Sequence, residues 1–337
     1  MSCKINIEGD FLIPSGFVSA IAQINEYQVN DLGTRWYSLD SPDLSQEVED
    51  LLKQMRPAET FLLFQAISSL VLPVFIWDCY CAYFPLSNFQ ISAYIPDYDG
   101  IIPPLLIWKD GSEEQLHIKR VTDRETLIHI IDDIIISDGF SGVKEDTIYL
   151  PVDTFLYLLC LSDAFHLSWF QALENHSPFR NYINFNDINI KSKDPLYFLD
   201  NRWSFPAGLA ACSLNKNEWS DERIKQAISS LINTGLIILD DSGEYISLTD
   251  SGVELVSSFS PNALKISSQE LSIHTDESII TSTHWIIRDR NRLVLVLIGQ
   301  NPQSDVIITT SNPDMIRSYH QKLIFPVETG RILPAFL

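Results

Sequence analysis

The sequence predicts a mixed α+β protein in which a central helical domain is flanked by two hairpin-helix units. Three observations carry this reading. Apolar residues make up 45% of 337, enough for packed interiors. Two segments about 190 residues apart each read strand, turn, strand, capped helix. Between them lies a mostly helical stretch that ends in a helix, a hairpin and a second helix. At roughly 150 residues per domain the chain has two or three units, divided at 1–142, 146–260 and 263–337. The outer two are expected to form one composite, pseudo-symmetric domain.

The first region opens with a helix over 17–27. "SQEVEDLLKQM" gives a second over 45–55, with Val48, Leu51, Leu52 and Met55 at helical spacing, acids early and Lys53 late. "FLLFQAISSLVLPVFIW" (61–77) gives a third, stopped or kinked near Pro73. Its 17 residues include Gln65, Ser68 and Ser69 and fall short of the about 20 a membrane span needs, so a core helix is expected. In "PPLLIWKDGSEEQLHIKRVTDRETLIHIIDDIIIS" two strands, 105–108 and 116–121, surround the Asp110-Gly111 turn. Thr122 to Glu125 has the form of a capping box before a helix face of Leu127, Ile130, Ile131 and Ile134.

The same order returns in "RLVLVLIGQNPQSDVIITTSNPDMIRSYHQKLIFP", with strands at 293–298 and 306–309 and Ser311 or Asn312 capping a helix that has Pro313 in its first turn. In the middle, "VDTFLYLLCLSDAF" (152–165) is apolar on almost every face and should be central, and 201–214 reads as another helix. In "DERIKQAISSLINTGLIILDDSGEYISLTDSG" the stripe Ile224, Ala227, Ile228, Leu231 and Ile232 gives a helix closed by Gly235. A hairpin turns at Asp240 to Gly243, and Thr249 or Asp250 caps a last helix.

This order, with "LINTGLI", the turn and "YISLTDSG", resembles the winged-helix domain, strongly over about 40 residues and over residues ~150–260 if the earlier helices belong to it. The resemblance implies DNA-facing positions at Glu222, Arg223, Lys225, Gln226, Ser229, Ser230 and Asn233, with a wing tip at Asp240 to Glu244. Phosphate contacts want Lys or Arg. Residues 221–250 hold two, Arg223 and Lys225, against six acids, Asp221, Glu222, Asp240, Asp241, Glu244 and Asp250. The expectation is a winged helix used for packing or protein contact.

Net charge is −21, from 23 Lys+Arg against 44 Asp+Glu. Residues 1–140 carry 8 basic against 21 acidic, 141–262 carry 8 against 16, and 263–337 carry 7 of each. Such a field disfavours nucleic acid and anionic membrane and favours a basic protein partner. Five cysteines, three in apolar runs, read as free thiols of a cytoplasmic protein, and Cys79-Tyr-Cys81 lacks metal-pair spacing. Glu8 and Asp10 interrupt any secretory signal.

Phosphate-loop, dinucleotide and zincin motifs are absent. "DGFSG" reads as a turn and not as a nucleophile elbow. The seven histidines, at 117, 129, 166, 176, 274, 284 and 320, are scattered, and Asp132-Asp133 and Glu113-Glu114 read as solvated charge. No enzyme, cofactor, metal site or membrane insertion is expected.

Candidate partner-binding residues are Tyr94, Tyr98 and Trp108, aromatic anchors in the Pro-rich "YIPDYDGIIPPLLIW", and Arg288, Arg290 and Arg292 around "RDRNR", which also reads as a hairpin tip. The function expected is non-catalytic protein interaction, as an adaptor or chaperone-like assembly factor. It would work through the acidic surface or by strand addition at the 293–298 or 105–108 edge. A winged-helix transcription regulator and an acidic immunity or antitoxin-like inhibitor are the alternatives.

Overall fold

The computed structural model describes residues 4–5, 10–24, 44–71, 73, 75–83, 87–96, 102–109, 115–136, 146–185, 188, 220–259, 265–274, 279–288, 292–298 and 305–324. The first half runs β1 (Lys4–Ile5), β2 (Asp10–Pro14), α1 (Ser15–Ile24), α2 (Ser45–Gln54), α3 (Pro57–Val71), β3 (Phe75–Tyr83), β4 (Ser87–Ile95), β5 (Leu105–Trp108), β6 (Gln115–Arg120) and α4 (Arg124–Ile135). The apolar run 61–77 is divided between two elements. α3 ends at Val71, two residues before Pro73, and the aromatic and β-branched "FIW" that follows opens β3.

The second half runs β7 (Asp146–Pro151), α5 (Val152–Glu174), β8 (Tyr182–Asn184), α6 (Asp221–Asn233), β9 (Ile237–Leu239), β10 (Tyr245–Leu248), α7 (Asp250–Ser258), β11 (Lys265–His274), β12 (Ile279–Arg288), β13 (Leu293–Ile298), β14 (Asp305–Ser311) and α8 (Pro313–Ile324). The segment expected as a helix over 201–214 lies outside the described residues.

The long strands make one antiparallel sheet of eleven, in the order β1-β2-β6-β5-β4-β3-β11-β12-β13-β14-β7. Leaving β1 aside, the order reads the same from either end: β2-β6-β5-β4-β3 mirrors β7-β14-β13-β12-β11. In each half an outer strand leads into helices, four strands follow, and a capped helix closes the unit. The inner strands begin 188 to 192 residues apart, at Phe75 and Lys265, Ser87 and Ile279, Leu105 and Leu293, and Gln115 and Asp305. The caps correspond as well. Asp123 Oδ1 accepts from the Thr126 N–H at 2.7 Å, and Asn312 Oδ1 from the Met315 N–H at 2.9 Å. The cap of α4 is thus Asp123, one residue past the Thr122 that the capping-box spacing suggests.

The halves join where β3 pairs with β11, from Phe75↔Ile273 to Tyr83↔Lys265, with Cys79 opposite Gln269. This makes the outer units one composite α+β body. It also claims β7, which belongs to the large sheet although the sequence places it with the central domain. Strands 105–108 and 293–298 are central, each paired on both sides, so neither offers the free edge expected of it.

Central position explains why β13 reads "LVLVLI" without polar alternation: both faces are covered. Leu293 and Leu295 enter a core with Phe75, Trp77, Leu127, Ile131 and Ile316 under α4 and α8. Val294, Val296 and Ile298 enter the core of α5, α6 and α7. On that second face the other half packs α1, α2 and α3 against Ile13, Ile107, Leu116 and Ile118.

Beneath α4 and α8 lies a buried polar junction. Asp132, 2% exposed, receives a hydrogen bond from Arg317 Nε at 3.0 Å and faces His320 Nδ1 at 2.8 Å. Gln269 Oε1 lies 3.2 Å from His320 Nε2, 2.8 Å from His284 Nε2 and 3.0 Å from Trp77 Nε1. Asp132 is therefore no solvated charge but the link between the two corresponding helices. His284 and His320, 36 positions apart in sequence, meet at one amide oxygen.

Burial, assisted by the His320 charge, lowers His284 to about 3, and burial lowers His166 to about 4. Both rings are neutral when folded, so below the unfolded value near 6.5 the unfolded chain takes up protons that the folded chain refuses. Stability is full above pH 6.5. Between pH 6.5 and about 4 it falls by up to about 1.4 kcal/mol per unit for each histidine. Urea unfolding at pH 7, 6 and 5 should show this slope, and His166→Gln should make it shallower. Asp132→Ala, which strands a buried charge network, should cost about 3–5 kcal/mol in the same measurement at pH 7.

Candidate partner-binding surface

α6 starts where Ser220 Oγ accepts from the Arg223 N–H at 3.2 Å, with Asp221 and Glu222 in the first turn. Ile224, Ala227, Ile228 and Leu231 are buried beside α5. Gly235 at φ +71° stops the helix, its N–H on Ile232 O at 2.9 Å and that of Leu236 on Leu231 O at 3.0 Å. β9 and β10 follow as a hairpin, and β8 pairs on the far side of β10, giving a three-stranded sheet in the order β8-β10-β9. The turn is organised by Asp240, whose Oδ1 accepts from the N–H groups of Glu244 and Tyr245, both at 2.9 Å. The Ser242 hydroxyl and these amides hold its carboxyl below the usual range. Thr249 caps α7, accepting from the Gly252 N–H at 3.0 Å while its hydroxyl donates to Gly235 O at 2.6 Å.

Alternation sets the two faces of this small sheet. Ile183, Ile246 and Ile237 enter the core. Tyr182, Ser247 and Ile238 form a cross-strand row on the outer face, with Tyr245 beside Tyr182. Ile238 is 57% exposed, Tyr182 42% and Tyr245 37%. The two tyrosine rings meet edge to face with centroids 5.4 Å apart, and the Arg180 guanidinium lies 5.8 Å from the Tyr182 centroid. Asp241 and Glu244 stand exposed in the adjoining turn. Two apolar anchors pinned by neighbours, beside uncompensated acid, can hold an apolar side chain and a cation of a partner.

Of the two cations on α6, one is committed elsewhere. Arg223, expected to face DNA, makes a two-point contact with Asp153 of α5, Nε to Oδ2 at 2.8 Å and Nη2 to Oδ1 at 2.5 Å. That pairing raises its pKa. Lys225, Gln226, Ser229 and Asn233 lie exposed on one face of α6, and Gln226 Nε2 donates to Glu222 Oε1 at 3.3 Å. Lys225 is thus the one cation on the exposed face of α6.

The other candidates scatter. Tyr94 is fully buried in the core of α1, α2 and α3, so it anchors packing and no partner. Trp108 is half-buried and stacks on His117 with centroids 5.1 Å apart. Arg288 is 7% exposed at the end of β12, where the chain pairs with both β11 and β13, and is no surface cation. Arg292 grips α7, Nη1 on Glu254 O at 3.0 Å and Nη2 on Glu254 Oε1 at 2.8 Å. Tyr98 and Arg290 lie outside the described residues. Tyr182, Tyr245 and Ile238 were missed. Period two through "LIILDDSGEYISL" turns Ile238 outward between Ile237 and Leu239, whereas nothing local marks Tyr182 as a strand residue.

Among the described residues no group of three His, Cys, Asp or Glu side chains gathers as a metal site, and no helix is long and apolar enough to cross a membrane. No protein-family model matches the chain, and no curated protein sequence matches it. In structure it is similar to the type VII secretion system chaperone EspG5 of Mycobacterium tuberculosis, solved in complex with the PE25-PPE41 dimer. The TM-score is 0.50 at 8% sequence identity, over 97% of this chain and 98% of that one. The likeness is one of fold.

The close approach at Gly252 tests the unit's geometry. A Cβ on Gly252 would lie 2.0 Å from the backbone oxygen of Leu236, which cannot step aside without moving the start of β9. Gly252→Ala should therefore lower stability by about 2–3 kcal/mol or more in urea unfolding.

Proposed function

We propose that this chain is a non-catalytic protein-interaction factor, an adaptor or chaperone-like assembly protein, whose partner is a protein. The observation that carries the reading is the exposed row Tyr182, Ile238 and Tyr245 beside the acidic turn Asp240 to Glu244. Its composition is that of an interface anchor and rim: aromatic and branched apolar groups at the centre, charge at the edge. Net charge of −21 points to a basic contact surface on the partner and to fast, salt-sensitive association. The fold is shared with a secretion-system chaperone solved with a bound protein dimer, which supports the same class of activity.

The helix, hairpin and helix of residues 221–258 we read as a winged helix adapted to protein contact. Its arginine is held by Asp153, which leaves Lys225 as the cation on the exposed face of α6, too little for the phosphates a DNA site neutralises.

The test is recovery of the tagged chain from its native cells at low salt, with and without nuclease. A protein partner surviving nuclease is expected, and Tyr182→Ser with Ile238→Ser should cut its recovery at least tenfold while leaving the thermal midpoint unchanged. Recovery of DNA alone, abolished by nuclease and by Lys225→Glu, would sink the reading in favour of a regulator.

A further inference from the structure

β7 ends the eleven-stranded sheet and, among the described residues, pairs only with β14. Its counterpart in the repeat, β2, does not end the sheet, because β1 lies along its outer side, Lys4 opposite Leu12 and Ile5 opposite Phe11. Residue correspondence can be read through the registers. His117 and Ile307 hold equivalent places, opposite Trp108 and Leu297. On their other sides lie Leu12 and Tyr149. The position filled by Lys4 and Ile5 in one half therefore lies beside Tyr149 and Ile148 in the other, and no described strand occupies it.

The edge is chemically ready for a strand. The Thr147 N–H donates to the neighbouring Asp146 carboxylate at 2.9 Å, the behaviour of an amide turned away from β14, and alternation turns the Tyr149 N–H and C=O the same way. Tyr149 is 59% exposed, on the face opposite the buried Leu150. Acids mark both ends: Asp146 at one, and at the other Asp305, opposite Pro151, both exposed. Pro151 and Asp146 also fit the way natural edges limit indiscriminate pairing.

Resting on the protein-binding reading above, we propose that β7 is a strand-addition site. It takes an extended segment of the partner, antiparallel to Ile148 and Tyr149, with apolar side chains against Tyr149 and Lys or Arg beyond the paired residues. The antiparallel sense follows β1, and the basic flanks answer Asp146 and Asp305. A second copy of this chain is the poorer occupant, since each brings a net charge of −21.

The experiment places a photo-cross-linking phenylalanine at Tyr149 in the full chain expressed in its native cells and sequences the cross-linked peptide. The expected peptide comes from another protein and alternates apolar residues between basic flanks. Its synthetic copy should bind the purified chain at least tenfold more weakly after Tyr149→Pro, which removes the outward N–H without touching the β14 ladder, and with unchanged affinity after Tyr149→Phe. Should the proline variant fail to fold, N-methylation of the peptide's pairing amides makes the same test on wild type. Cross-links only within this chain or to a second copy, or undiminished binding to Tyr149→Pro, overturn the proposal. A partner that is recovered yet never cross-links at position 149 sinks strand addition alone; recovery of no protein partner at all sinks the protein-binding reading with it.

Discussion

The pairing of β3 with β11 is the contact on which the rest of the molecule depends. It joins two segments that are remote in sequence, sets Cys79 opposite Gln269, and turns two five-strand halves into one sheet. Hydrogen bonds alone would leave the register free to slip by two residues. The side-chain junction removes that freedom: Trp77 of β3 and His284 of β12 meet Gln269 of β11 on one face, and His320 carries the same oxygen up to Asp132 and Arg317. One amide side chain thereby couples the sheet to both closing helices. A buried network of this kind is costly in solvation, and what it provides is a single alignment of the halves.

Much of this was legible in the sequence where signals are local. Strands 105–108 and 293–298 and the helix from Asp221 emerge with the same bounds, or nearly so, because each is marked by local signals, an apolar run or period bounded by turn or capping residues. The recurrence of strand, turn, strand, capped helix is an architectural repeat. What was not legible is pairing. β3, β4, β11 and β12 carry serines, cysteines, tyrosines and a glutamine whose burial depends on strands far away. Tyr94 reads as a loop anchor and lies in a core for the same reason. Position in the sheet, central or edge, is likewise a long-range property, and it reversed the expected edges: among the described residues an edge falls to "DTIYLP", too short and mixed to announce itself.

Net charge limits the class of partner to be expected and says little about position. An excess of acid in the first two regions left open which acids would be used internally. Asp132 and Asp153 are consumed by Arg317 and Arg223, and Asp240 by its own turn. Asp241 and Glu244 stay exposed next to an apolar row. The same internal pairing that holds α5 against α6 withdraws the arginine that a nucleic-acid surface would need.

The reach of β7 has a consequence for how the chain is made. Thr147 and Thr309 touch across the outermost strand pair, 162 residues apart, so the neighbour of β7 is synthesised long after β7 itself. At ribosomal rates of about 5–20 residues per second, that strand waits on the order of ten seconds or more for β14. The first half waits less, since β3 to β6 pair with near neighbours as they emerge and the longest wait is that of β2 for β6, with Pro14 and its partner Gln115 101 positions apart. Maturation is therefore lopsided: one half closes during translation, and the other stays open until its last strands arrive. The nascent chain is most prone to mispairing in that interval, and Asp146, the acid already present at the start of the waiting strand, disfavours pairing between copies.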